Sequence, residues 1–142
     1  MSRGNSDNPN EENDPPLTPA LLRRAYSLGY FPMPHPETGE ILWFHPDPRA
    51  VIPLDCFHRS RSLKRALRLG GYKVTVNKSF VDVMAACGER KETWITSEFK
   101  SAYAALHAEG DAHSLEIWRD TRLVGGVYGV SILMKLLKNA PR

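Results

Sequence analysis

Cysteine and long hydrophobic runs are both scarce in this sequence. Its 142 residues include two cysteines, Cys56 and Cys87, which are too few for a disulfide scaffold. No apolar run approaches the roughly twenty residues of a membrane-spanning helix, and residues 1–7 lack the apolar core of a secretory signal. We therefore expect a cytoplasmic protein with free thiols and no membrane segment. The length predicts one domain, or one domain with a small appendage.

Familiar catalytic and metal-binding motifs are also absent. The histidines and cysteines lack the CxxC, HxxxH and HExxH spacings of metal sites, so we predict no bound metal. No GxSxG, P-loop or GxGxxG motif occurs. His113 and Glu116 fall on a predicted strand, where structural roles are favoured and a catalytic dyad is the alternative.

The net charge of +3 conceals an asymmetry along the chain. Residues 1–14 carry one basic and four acidic residues, whereas residues 15–142 carry eighteen basic and twelve acidic ones. Residues 1–16 are rich in Asn, Asp, Glu, Ser and Pro, which predicts a disordered acidic tail. The remainder is basic, which is compatible with an acidic partner, although many proteins of similar charge bind no polyanion.

The order of the periodic segments predicts a mixed α/β fold. Apolar residues at helical spacing predict helices near residues 19–28, 60–69, 79–87 and 97–109. Alternating or β-branched runs predict strands at 41–44, 50–54, 72–76 and 113–118, and a hairpin over 118–130. Three alternate prolines in residues 30–36 exclude a helix and a central strand, and the aromatic residues between the prolines of residues 30–49 indicate a rigid aromatic loop, which is either pinned to the core or part of a pocket wall. The spacing of apolar and basic residues over 131–142 predicts a short amphipathic helix.

The strongest signal is a stripe of positive charge on the predicted helix over 60–69. Four basic residues share one face at helical spacing, namely Arg61, Lys64, Arg65 and Arg68, and we call them the basic stripe. From Arg59 to Lys73 the chain holds six basic residues and no acidic one. Because like charges at this spacing repel by roughly 0.2–0.5 kcal/mol per pair, an unmixed stripe favours a polyanion such as nucleic acid. A solvated face and a surface for anionic lipid are the alternatives.

Trp94 is a candidate for stacking on a base. It follows a polar segment, residues 90–93, and precedes the predicted helix over 97–109. A tryptophan at such a junction can stack on a nucleobase, which contributes about 1–3 kcal/mol. The alternative is that Trp94 caps the core and uses its ring N–H. The residues alone therefore indicate a basic α/β domain with an aromatic loop that binds nucleic acid.

From Leu17 to Val130 the chain resembles the leucyl/phenylalanyl-tRNA–protein transferases. The matching segments are Ala25-Tyr26, Gly29–Met33, Leu42–Arg49, Phe57-His58, Arg61–Arg65, Thr93–Ile95, Gly110, Ala112–Ser114, Glu116–Trp118 and Val124–Val130. Each segment is short, but their order and spacing over 114 of the 142 residues are specific.

The resemblance implies an enzyme that transfers Leu, Phe or Met from aminoacyl-tRNA to the N-terminal Arg or Lys of acceptor proteins, which marks them for degradation. The implied chemistry is aminolysis of an ester without a metal or organic cofactor, and we expect a cytoplasmic monomer. The resemblance assigns Trp94 to the 3′-terminal adenosine, with Met33 and Trp43 beside it, and it assigns the basic stripe to the tRNA backbone. Some members carry Trp at the position of Met33. The methionine of this chain would keep that wall apolar.

The resemblance also implies a division of the chain. Residues 17–76 would form an N-terminal α/β domain, and residues 77–130 would begin an acetyltransferase-like (GNAT-like) domain. Members continue with Gly-Glu-Ser-Met-Phe-Ser and Asp-x-Gln segments that supply catalytic residues, and the divergent residues 131–142 match neither. We therefore leave the catalytic residues unassigned and expect no transfer by residues 1–142 alone. The alternative function is a catalytically inactive, truncated member that at most binds tRNA.

Overall fold

The computed structural model describes residues 16–91 and 93–131. Their helices and strands follow the order α1 (Pro19–Ser27), β1 (Phe31–Pro34), β2 (Ile41–Phe44), α2 (Arg61–Leu69), β3 (Tyr72–Val76), α3 (Phe80–Gly88), α4 (Ser97–Ala108), β4 (Ala112–Arg119) and β5 (Arg122–Val130). The strands form two antiparallel sheets, which confirms the mixed α/β class. Nearly all of the predicted tail and of the predicted helix over 131–142 lies outside the described residues.

Three of the helices begin at a side-chain cap. The hydroxyls of Thr18, Ser60 and Thr96 accept hydrogen bonds from backbone amides three residues later, at 3.2, 3.2 and 3.3 Å. Such caps satisfy amides that have no partner within the first turn of a helix. The four helices predicted from the sequence are therefore confirmed to within one or two residues at their ends.

The prediction of an aromatic loop over residues 30–49 is wrong for residues 31–34, which form a strand. Phe31–Pro34 pairs with Ile41–Phe44 in a two-stranded antiparallel sheet, in which Pro32 lies opposite Trp43. Both strands of a two-stranded sheet are edge strands. A proline, which has no backbone N–H to donate, is therefore tolerated in either of them. The rings of Phe31 and Phe44 stack across the pair with centroids 5.9 Å apart.

The predicted strand over residues 50–54 is also wrong. These residues form no strand in the structure, and Val51, Ile52 and Leu54 are 78%, 71% and 90% exposed. An apolar run becomes a strand only where a neighbouring strand offers backbone partners. The described part of the chain places none beside it.

The larger sheet has the strand order β3-β4-β5, and α3 and α4 pack on it. The core lies between these layers and includes buried residues of every helix except α2, namely Leu22, Phe80, Met84, Phe99, Ala102, Tyr103 and Leu106, together with Leu17, Ile95 and Ala112. Gly126 lets α3 approach the sheet closely, because a Cβ there would lie 3.0 Å from Val83 Cγ2. The strands predicted at 72–76 and 113–118 and the hairpin over 118–130 are confirmed.

A buried carboxylate ties the sheet to the start of α3. Glu116 is fully buried and accepts hydrogen bonds from the hydroxyls of Ser114, at 2.6 Å, and Thr75, at 2.5 Å. It also accepts the backbone amides of Lys78 and Ser79, both at 3.2 Å. Burial by itself raises the pKa of Glu116, but these four hydrogen bonds outweigh it and lower that pKa below its ordinary value. Glu116 is therefore an ionised structural group.

Candidate functional site

A cavity of about 370 Å³ opens where α1, α3, α4 and β5 meet. Ten described residues line it, and four of them are aromatic: Tyr26, Cys87, Arg90, Thr93, Trp94, Ile95, Tyr103, Tyr128, Gly129 and Val130. We call it the aromatic cavity. Its size and largely apolar walls, with a few polar groups among them, are typical of sites that bind small molecules or parts of larger ligands.

Three tyrosines from distant parts of the sequence form one side of the aromatic cavity. The hydroxyls of Tyr26 and Tyr103 are hydrogen-bonded at 2.7 Å, and their rings meet edge to face with centroids 6.4 Å apart. Tyr128 also meets Tyr103 edge to face, at 6.1 Å. These contacts hold α1, α4 and β5 together around the cavity.

The three tyrosines offer neutral hydroxyls. Burial raises the pKa of Tyr103 and that of Tyr26, and it raises the pKa of Tyr128 to about 12. All three phenols are therefore protonated at neutral pH. They can donate and accept hydrogen bonds to a ligand, but they do not act there as phenolate bases.

Trp94 lies at the rim of the aromatic cavity and is 41% exposed. Its ring meets the buried ring of Phe99 edge to face, with centroids 5.9 Å apart. The next residue, Ile95, is buried, and its amide donates to the hydroxyl of Thr93 at 3.1 Å. The rim is thus anchored to the core on one side, while the indole keeps surface on which a planar ligand can stack.

The other two aromatic-loop candidates lie elsewhere. Met33 is on β1 opposite Leu42, and Trp43 is on β2, half-buried against the core. Neither Met33 nor Trp43 is among the residues that line the aromatic cavity. The structure therefore brings Trp94 to the cavity and leaves Met33 and Trp43 in the neighbouring two-stranded sheet.

Of the ten lining residues the sequence had assigned only Trp94 to the site, and the nine it missed include Tyr26, Arg90, Tyr103 and Tyr128. Helical spacing marked Tyr103 as a core residue, and the tyrosine is indeed buried while its hydroxyl faces a partner from α1. The segment that contains Arg90 was interpreted only as a polar segment that precedes Trp94. The available signal was the presence of three tyrosines on predicted helices and a predicted strand. That they meet beside Trp94 depends on how α1 docks on α4, which the sequence does not show.

The basic stripe lies on α2, a helix with no buried residue. Among the described residues, no carboxylate lies within 4.0 Å of the four basic side chains. The ion pairs in this part of the chain are formed by Arg23 instead. A second, shallower cavity of about 360 Å³ adjoins the stripe and is lined by Arg59, Lys64, Leu67 and Arg68. Within the part of the chain that the structure describes, α2 thus presents a positive surface without carboxylate partners, as an anion-binding face requires.

His113 and Glu116 do not line the aromatic cavity. The Nδ1 atom of His113 is hydrogen-bonded to the side-chain Nδ2 of Asn77 at 3.0 Å, while Glu116 makes the four structural hydrogen bonds described above. Within residues 16–91 and 93–131, no group of three or more His, Cys, Asp or Glu is arranged to hold a metal ion. The helices in the same range are all too short or too polar to cross a membrane.

Comparison with known proteins gives matches along most of the chain. The family model for leucyl/phenylalanyl-tRNA protein transferase matches residues 51–137, and the model for the N-terminal domain of the same proteins matches residues 16–47.

Curated relatives with the name leucyl/phenylalanyl-tRNA–protein transferase are close in sequence. One from Jannaschia sp. (strain CCS1) is 47% identical over 119 residues, which are 83% of this chain and 56% of the relative. One from Ruegeria pomeroyi is 48% identical over 115 residues, 80% of this chain and 55% of the relative. One from Herpetosiphon aurantiacus is 50% identical over 117 residues, which are 82% of this chain and 60% of the relative. The chain thus spans somewhat more than half the length of these relatives.

Proposed function

Because the chain belongs to the leucyl/phenylalanyl-tRNA protein transferase family, we propose that it binds aminoacyl-tRNA for transfer of the amino acid to a protein. The proposed donor is Leu-tRNA or Phe-tRNA, and the proposed acceptor is a protein with N-terminal Arg or Lys. We propose that this takes place in the cytoplasm, where tRNA is aminoacylated, and that the protein acts as a monomer.

The observation that carries this proposal is the position of Trp94 at the rim of the aromatic cavity. An adenine stacked on the indole would direct the aminoacyl group of a tRNA 3′ end toward the tyrosine hydroxyls. Stacking on an aromatic side chain contributes about 1–3 kcal/mol per base. We assign Trp94 to the 3′-terminal adenosine, and we place Met33 and Trp43 in the adjoining wall rather than in the cavity itself.

The reaction is aminolysis of the ester that joins the amino acid to tRNA. The α-amine of the acceptor attacks the ester carbonyl, the C–O bond to the ribose breaks, and the 3′-terminal hydroxyl leaves with a proton. The described lining of the aromatic cavity offers no carboxylate or imidazole to accept the amine's proton, and its phenols are neutral. We therefore propose that the described residues position the tRNA end and that proton transfer uses other groups.

We also propose that the chain combines an N-terminal unit with part of an acetyltransferase-like unit. The sequence placed their boundary at residues 76 and 77, yet β3 (Tyr72–Val76) pairs with β4 along its whole length. This pairing supports a boundary ahead of β3, in the segment that contains α2. The basic stripe would then lie between the two units.

The basic stripe is expected to contact tRNA phosphates. The double substitution Arg61→Ala and Arg65→Ala should weaken tRNA binding and reduce the slope of log affinity against log salt by roughly 1.4–1.8, which corresponds to two phosphate contacts. Filter binding across a salt series measures both quantities. The matched control is Arg24→Ala with Arg122→Ala, which removes the same charge from two other exposed positions. Equal slopes for the two double variants would remove α2 from the tRNA footprint.

The transfer step has its own test. Residues 1–142, given Phe-tRNA and a peptide with N-terminal Arg, are expected to bind the tRNA and to form no conjugate, because the described cavity lacks a group for the amine's proton. A longer relative assayed in parallel is expected to form the Phe-peptide, detected by mass spectrometry. Conjugate made by residues 1–142 above the no-protein control would show that these residues already contain a sufficient active site.

A further inference from the structure

We infer that Arg90 forms a phosphate subsite at the rim of the aromatic cavity. The group it would bind is the phosphodiester that joins the terminal adenosine to the preceding nucleotide. The inference rests on the proposed function and adds to it a contact that neither the family comparison nor the sequence patterns assign.

The charge of the cavity lining points to a ligand with one negative group. Ten of the residues that the structure describes line the aromatic cavity; among these Arg90 is the one charged residue, and four of the other nine are aromatic. Aromatic walls suit a planar, largely apolar body, and a single cation among them suits one anionic group on that body. A nucleotide carries both features, a planar base and an anionic phosphate.

The loop between α3 and α4 holds Arg90 on the same rim as Trp94. The amide of Arg90 donates to the carbonyl of Gly88 at 2.9 Å, which fixes the chain just after α3. Gly88 in turn lies against buried Ile95, since a Cβ at Gly88 would be 3.6 Å from Ile95 Cβ. The two ends of the loop are therefore in contact, so Arg90 and Trp94 face one opening.

The Arg90 side chain is available for a ligand. It is exposed, and in the described part of the chain no carboxylate lies within 4.0 Å of its guanidinium. A guanidinium can form two parallel hydrogen bonds to one phosphate, which a lysine ammonium cannot. With adenine stacked on Trp94, the phosphate one ribose away would meet Arg90 at the rim. Lys91 is also exposed but does not line the cavity, which makes it a matched control.

Two amide-linked 3′-phenylalanyl-adenosine probes test the inference, one with a free 5′-hydroxyl and one with a 5′-phosphate methyl ester. The wild-type protein is expected to bind the phosphorylated probe about tenfold more tightly in calorimetric titrations, in line with one charge-assisted pair. Arg90→Ala should abolish this difference and leave the affinity for the unphosphorylated probe within about twofold of wild type. Arg90→Lys should retain part of the difference, and Lys91→Ala should retain all of it.

Three results would overturn the inference. They are equal binding of both probes by the wild-type protein, an unchanged phosphate preference in Arg90→Ala, and a loss of both probes together in that variant. The last result would mean that Arg90 shapes the cavity instead of binding phosphate. Failure of the wild-type protein to bind either probe would overturn the proposed function itself, and the inference with it.

Discussion

Replacing Glu116 with alanine is expected to lower the free energy of unfolding by about 3–5 kcal/mol at pH 7. The substitution removes the acceptor for four donors, the hydroxyls of Ser114 and Thr75 and the amides of Lys78 and Ser79. A hydrogen bond to a charged group contributes about 1.5–3 kcal/mol, and buried donors left without a partner add a further penalty. Urea denaturation followed by circular dichroism measures the loss.

The same carboxylate makes stability depend on pH. Because folding lowers the pKa of Glu116, its ionised form stabilises the protein above the pKa of the unfolded chain, and this contribution is lost as pH falls through the lower, folded-state pKa. In Glu116→Gln this part of the acid dependence should disappear, since the amide does not titrate. Glu37→Ala, at an exposed glutamate, should stay within about 0.5 kcal/mol of wild type. If Glu116→Ala behaved like Glu37→Ala, the carboxylate would not hold β3, β4 and α3 together.

Trp94→Ala is expected to weaken binding of an amide-linked 3′-phenylalanyl-adenosine by about 5- to 150-fold. This range corresponds to about 1–3 kcal/mol for one aromatic stacking contact. The fold should remain intact, because Trp94 is 41% exposed. Trp94→Phe should recover part of the affinity, since a phenyl ring keeps a smaller stacking surface. Calorimetric titration measures affinity, and circular dichroism measures the folded fraction.

Tyr72→Ala is the control for this substitution. Tyr72 has a similar exposure, 43%, and lies on β3 outside the aromatic cavity. Its replacement should leave affinity for the adenosine probe unchanged. If Trp94→Ala instead unfolded the protein while Trp94→Phe folded and bound normally, the indole would serve to cap the core, which was the alternative that the sequence left open.

The elements whose signals are local could be predicted from the sequence. Ser60 is a favourable cap, an apolar and a basic face follow it, and Gly70 ends the segment, so the limits of α2 follow from neighbouring residues alone. The polar turn and alternation of residues 118–130 likewise define the β4–β5 hairpin. In both cases the conformational preference of each residue agrees with that of its neighbours, so tertiary contacts do not alter the local structure.

The features that depend on long-range partners could not be predicted. Phe31–Pro34 forms a strand because Ile41–Phe44 lies beside it, against the preference of its prolines. Residues 50–54 have strand-like composition, but within residues 16–91 and 93–131 no strand lies beside them. The aromatic cavity exists because α1 docks on α4 and brings Tyr26 to Tyr103, residues 77 positions apart. Periodicity shows which face of a helix is buried, but it does not show which side chains meet there.

Competition between a short probe and tRNA tests the central claim most directly, namely that the aromatic cavity holds the aminoacyl end of tRNA. Labelled Phe-tRNA bound to the protein would be titrated with the amide-linked 3′-phenylalanyl-adenosine probe, and fluorescence anisotropy would follow release of the tRNA. We predict that the probe binds with 1:1 stoichiometry and weakens tRNA binding in the wild-type protein, and that it does so far less in Trp94→Ala. Phe-tRNA binding that stays constant at a saturating probe concentration would contradict the account.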